Sequence, residues 1–120
     1  MAERTLTWTL NKKTKSPLEI KEILPAGEKP ISAYLMQNGY VCLTDKRIII
    51  IDKTGAAGMK TSLFSLPYRS LDYWTCSAGE SLISVYSELI LHSQTITVKF
   101  NIHKTCDTDE INRILALYTN

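Results

Sequence analysis

Gly55, Gly58, Lys60 and Thr61 come closest in this chain to a catalytic signature, because a glycine-rich loop followed by Lys and Thr is one way proteins cradle phosphate. That chemistry needs four residues between the glycines, Lys directly after the second, and a helix whose N-terminus faces the anion. Here only Ala56 and Ala57 separate the glycines, Met59 intervenes, and a strand-like run follows. The stretch is expected to be a plain inter-strand loop. Nucleophilic chemistry fares no better. A thiolate needs a base beside it, and Cys42, Cys76 and Cys106 stand with His92 and His103 in no local signature of such a pair. His103 and Cys106 are three residues apart, yet the His and Cys residues as a set lack the close spacing of structural zinc ligands. No catalytic residue, metal site or cofactor is expected.

Cations and aromatics carry more. Lys46, Arg47, Lys53, Lys60 and Arg69 are the candidate ligand-binding residues, since converging Lys and Arg hold an anion by charge-assisted hydrogen bonds. Strand alternation sets Lys46 and Arg47 in one turn and Lys53 and Lys60 around the next, at opposite ends of a sheet, so solvated turn charges are the simpler account. Arg47 opens an aliphatic strand and is expected to pair structurally, with Asp52 of the same hairpin or with a neighbouring subunit. Arg69, after Pro67-Tyr68, is placed to fix a bend. Trp8, Tyr68, Tyr73 and Trp74 belong to a substantial aromatic set and are the candidate interface residues, because amphipathic aromatics and Arg dominate protein interfaces. Tyr73 and Trp74 are adjacent in a strand and must point in opposite directions.

The elements that would position these groups are mostly β. At 120 residues the chain suits one compact domain, and 44% hydrophobic content is ordinary for a globular protein. The net charge of +2 divides into ten basic against six acidic residues in positions 1–60 and four against six in 61–120. So mild an asymmetry argues against nucleic-acid binding. The longest aliphatic run, Ile48 to Ile51, is far short of the roughly 20 residues of a membrane-spanning helix. The N-terminus lacks the apolar region of a secretory signal. With an odd cysteine count as well, a reducing, cytoplasmic setting is expected.

Leu6, Trp8 and Leu10 alternate with threonines and predict an edge strand or ordered arm. Ser16-Pro17-Leu18-Glu19 has the form of a capping box that opens a short helix through Leu24. Strands are predicted over 31–37, 40–43, 48–52, 60–66, 70–77 and 95–100, with 82–92 as one long strand or a strand pair and Asn38-Gly39 as a hairpin turn pair. Leu71, Tyr73 and Thr75 are assigned one face of their strand, and the aliphatic centre of 48–52 predicts burial on both faces. After Cys106 the period changes to 3.6: Asp107 caps a helix on which Ile111, Ile114, Leu115 and Tyr118 share one side. An antiparallel sheet that curls needs its open end covered, and this helix is the natural cover.

The ordered series LTDKRIIIIDK at Leu43 to Lys53, SLPYRS at Ser65 to Ser70, SELIL at Ser87 to Leu91, ITVKF at Ile96 to Phe100 and DEINRILALY at Asp109 to Tyr118 resembles the bacterial pleckstrin-homology-like domain family. The resemblance implies a mainly β (α+β) fold, a strongly bent antiparallel sheet or partial barrel of seven strands capped by the C-terminal helix. It also implies a cyclic homo-oligomer without enzymatic activity. It covers residues 24–120, and residues 1–23, an arm with a short helix, depart from the family pattern. The function expected is a non-catalytic scaffold that self-assembles and has protein partners. The alternative is a binder of an anionic small ligand, either a nucleotide signal that it sequesters or a phospholipid headgroup at a membrane surface.

Overall fold

In the computed structural model, which describes residues 4–54, 60–78 and 85–119, alternation of apolar side chains becomes two packed sheets. The first has the order β2-β3-β4-β5-β6, formed by β2 (Lys12–Thr14), β3 (Pro30–Met36), β4 (Gly39–Thr44), β5 (Arg47–Thr54) and β6 (Lys60–Pro67). Every neighbouring pair in it is antiparallel. The second has the order β1-β9-β8-β7: β1 (Arg4–Leu10), β9 (Ile96–His103), β8 (Tyr86–Ser93) and β7 (Leu71–Ala78). A 3-10 turn, Tyr68–Ser70, links β6 to β7, and the helices are α1 (Leu18–Ile23) and α2 (Thr108–Tyr118).

Strands β3 to β9 with α2 are the bent seven-stranded frame expected. Residues before 24 extend it: β2 adds to one sheet and β1 to the other, where its register with β9 runs from Arg4↔Ile96 to Leu10↔Ile102. That last pairing is parallel, so the second sheet is mixed rather than wholly antiparallel. The loop glycines Gly55 and Gly58, Met59, the turn at Gly79-Glu80 and the strand start at Leu82 lie outside the described residues.

The isoleucine run shows why the N-terminal segment matters. Ile48 and Ile50 point into the main core with Tyr34, Val41, Leu66, Leu91, Val98 and Phe100. Ile49 and Ile51 point outward, where Ile20 of α1 closes over them with Ala33 and Cys42. Burial on both faces is thus achieved by sandwiching β5 between the main core and α1. Ile20 is fully buried, a stabilisation of roughly 1.5–3 kcal/mol. The capping box is not formed. Pro17, with extended ψ of 147°, is itself the N-cap and offers its carbonyl to the N–H groups of Ile20 and Lys21.

At the other end α2 behaves as its sequence predicts. Asp107 accepts the N–H of Glu110 at 3.1 Å, and Ile111, Ile114 and Leu115 close the core over Val98 and Phe100. Two register details differ from simple alternation. The β3–β4 turn is Gln37-Asn38, while Gly39 already belongs to β4, opposite both Met36 and Asp52. In β7 a bulge at Asp72 shifts the pairing from Leu71↔Ser93 to Tyr73↔His92. The extra residue flips the pleat, so Leu71 and Trp74, not Leu71 and Tyr73, both pack on the core.

Candidate functional site

The β4–β5 turn draws most of the polar chemistry to one end of the first sheet. Thr44 Oγ1 donates to Glu28 Oε2 at 2.6 Å and accepts the N–H groups of Lys46 and Arg47, each at 3.0 Å. Arg47 Nε donates to the same carboxylate oxygen at 3.0 Å and its Nη1 donates to Ser65 Oγ at 3.0 Å. Tyr68 drops in from the 3-10 turn and donates its hydroxyl to the Thr44 carbonyl at 2.7 Å. Burial raises that phenol above its ordinary pKa, so it stays a donor. Arg47 therefore has a structural partner as expected, but it is Glu28; Asp52 instead accepts the indole N–H of Trp8 at 3.1 Å. Glu28 lies 19 residues before Arg47 and carries no local signal, so only the fold reveals the pair.

Around this network lies an open cleft of about 710 Å³, walled by Lys46, Arg47, Arg69, Glu28, Asp45 and Tyr118. Three cations thus face two carboxylates. Arg47 is engaged by Glu28, whereas Lys46 and Arg69 have no ion pair among the described residues. Lys53 and Lys60 sit at the far end, since β5 and β6 pair from Arg47↔Pro67 to Thr54↔Lys60. There Lys53 pairs with Glu19 at 3.0 Å and lies 5.1 Å from the Tyr40 ring centre. The five cations therefore form two groups, as strand alternation implies.

The aromatic candidates also divide. Trp8 packs beside Phe64 and Phe100 at centroid distances of 5.8 and 6.2 Å, and Tyr68 is 1% exposed and stacks on Tyr118. Tyr68 belongs to the core and Trp8 packs against it partly buried, and each has its polar atom satisfied within the molecule. Trp74 turns inward and donates its indole N–H to Asn112 Oδ1 of α2 at 2.8 Å. Tyr73, on the opposite face, is 56% exposed and stacks on His92 at 4.3 Å.

A second polar knot, not foreseen from sequence, ties α2 to both N-terminal strands of the first sheet. Glu110 Oε1 accepts from Lys13 Nζ at 2.8 Å and from the hydroxyls of Ser32 and Tyr34 at 2.9 Å. These donors, Lys13 first, hold the Glu110 carboxyl below its ordinary value of 4.5. A carboxyl depressed on folding contributes stability that is full above the unfolded value and is lost as pH falls through the folded one. Urea midpoints of the wild type are therefore expected to drop more steeply than those of Glu110→Gln as pH falls below about 4.5. Parallel pH profiles would remove Glu110 as the tie.

The thiols are poorly placed for nucleophilic attack. Cys42 is buried and pushed up to about 11 by that burial; Cys106 is buried and Cys76 exposed, and desolvation raises both. His103 Nδ1 is taken up by Thr105. Among the described residues no cluster of three or more His, Cys, Asp or Glu is arranged to hold a metal, and no helix is long and apolar enough to cross a membrane.

Residues 3–119 match the family model described as bacterial PH domain. The chain belongs to that family. The match begins before β1, so both N-terminal strands fall within it. YjqA of Bacillus subtilis strain 168 is 42% identical over 53 residues, 44% of this chain and 42% of that protein. The matched segment thus spans under half of YjqA. YozO of the same strain is 25% identical over 98 residues, 82% of this chain and 84% of that protein. The crystal structure of a DUF1696 family protein with a pleckstrin-homology domain, from Shewanella loihica PV-4, superposes with a TM-score of 0.81 at 24% identity. It covers 91% of this chain and 98% of the other, and establishes the shared bacterial PH fold.

Proposed function

We propose that this bacterial PH domain is a non-catalytic, cytoplasmic scaffold whose copies associate through β6 and β7 into a closed ring. The observation that carries the reading is that β6 and β7, each eight residues long, are the longer edge strands of their sheets, whose other edges are β2 with three residues and β1 with seven. A strand at a sheet edge presents unpaired N–H and C=O groups to another chain. Pairing β6 of one copy with β7 of the next is a heterologous contact, and such contacts close into rings when the rotation permits. Leu63 on β6, 50% exposed, and Tyr73 on β7, 56% exposed, supply apolar surface on these edges. The raised thiols speak against a cysteine nucleophile, and three free thiols suit a reducing compartment. Static light scattering is expected to give several times 13.6 kDa for the wild type and a mass near one copy for Leu63→Glu/Tyr73→Glu. A wild-type monomer at micromolar concentration would refute the assembly.

A second reading, binding of an anionic small ligand, is favoured by the convergence of Lys46, Arg47 and Arg69 on one cleft. Its signature is a rise in melting temperature with a phosphorylated ligand that Lys46→Gln abolishes.

A further inference from the structure

Beside β6, where the 3-10 turn enters β7 and the β8–β9 turn meets the start of β1, lies a second cleft of about 660 Å³, within the range of small-molecule sites. Two guanidinium groups reach it from unrelated parts of the chain. The parallel register Arg4↔Ile96 brings Arg4 to the β8–β9 turn, and the 3-10 turn carries Arg69. Neither has an ion pair among the described residues. The floor is apolar, made by Phe64, Leu66 and Ile96.

Gln94 and Thr95 of the β8–β9 turn add an amide and a hydroxyl, and the three serines have assigned directions. Ser65 Oγ accepts from Arg47, which leaves its own hydroxyl hydrogen to donate. Ser70 donates to the Pro67 carbonyl and Ser93 to the Ile96 carbonyl, so both shape the walls and have no hydrogen to spare. Asp72 is the one carboxylate, and it is the bulge residue of β7. Bulges next to functional sites commonly re-aim a side chain, and this one sets an acceptor in a cleft otherwise rich in donors.

We infer that this cleft binds a phosphorylated sugar, with Arg4 and Arg69 on the phosphate and Asp72 accepting from sugar hydroxyls. Guanidinium groups suit phosphate because their N–H pairs match two of its oxygens. A carboxylate opposes phosphate alone and helps only when the ligand also donates, which selects a hydroxylated frame over a bare anion. The volume accommodates a sugar phosphate or a nucleoside monophosphate. The site differs from the Lys46 cleft of the second reading, and Arg69 stands on the ridge between them.

Isothermal titration with glucose 6-phosphate, adenosine monophosphate and inorganic phosphate tests this on the full chain. Saturable binding is expected for one or both organic ligands, and which of them binds identifies the source. Arg4→Gln is expected to weaken it about tenfold or more, and Lys46→Gln to leave it unchanged. Circular dichroism of each variant guards against misfolding, and Asp72→Asn is a second probe: it should weaken the hydroxylated ligand and strengthen inorganic phosphate. No saturable binding, equal affinity in Arg4→Gln, or loss in Lys46→Gln instead would overturn the assignment. The last outcome would move the ligand to the other cleft. Retained affinity in Leu63→Glu/Tyr73→Glu shows that one copy suffices, independently of assembly.

Discussion

Gly39→Ala is expected to be among the most damaging single substitutions in the protein, at about 3 kcal/mol or more. A Cβ built on Gly39 runs into the carbonyl oxygen of Ile51 and lies 2.9 Å from its carbon, both backbone atoms that a rotamer change cannot clear. The φ of +155° adds strain, because side chains rarely adopt it. Either the β4–β5 pairing opens at this end or β5 shifts, and β5 carries Ile48 to Ile51 through the centre of the core. Gly27→Ala is the control. It shares a positive φ, +91°, but its Cβ would meet nothing within 4 Å, so strain alone should cost about 1–2 kcal/mol. Equal losses in thermal or urea unfolding would mean that close strand approach is not what requires Gly39.

Arg47→Ala is expected to cost about 3 kcal/mol by leaving a buried carboxylate without its cation. The Glu28 side chain is 5% exposed and that of Arg47 24%, so the carboxylate is the more shielded partner. Among the described residues, Thr44 would remain as the one neutral side-chain donor to Glu28. Adding Glu28→Gln should restore a large part of the loss, since the double variant buries no charge, and the non-additivity measures the coupling. Lys46→Ala, one residue earlier and without an ion pair among the described residues, should change stability by no more than about 0.5 kcal/mol. If Arg47 and Lys46 proved equally dispensable in urea unfolding, Arg47 would be a solvated charge and its pairing with Glu28 immaterial to the fold.

The elements with strong local periodicity were legible before any fold was known. The β9 alternation, the Asp107 cap with Ile111, Ile114 and Leu115 behind it, and the burial of Ile48 to Ile51 on two sides all follow from side-chain direction along a strand or helix. The separation of Lys46 and Arg47 from Lys53 and Lys60 was equally readable, because an eight-residue strand puts its ends far apart. A bulge erases such legibility: one extra residue at Asp72 reversed the faces of Tyr73 and Trp74 relative to Leu71, and nothing in the local sequence marks it.

The chain by itself determined which residues are apolar, where the period is two or 3.6, and hence a curled sheet capped by a terminal helix. Tertiary structure alone decided that Glu28 holds Arg47, that Glu110 meets Lys13, that Tyr68 is core and Trp8 packs against it, and that Arg4 and Arg69 share a cleft. The physical reason is range. Periodicity follows from the geometry of consecutive residues, whereas these partners are 19 to 97 residues apart and meet only once the sheets have chosen their order.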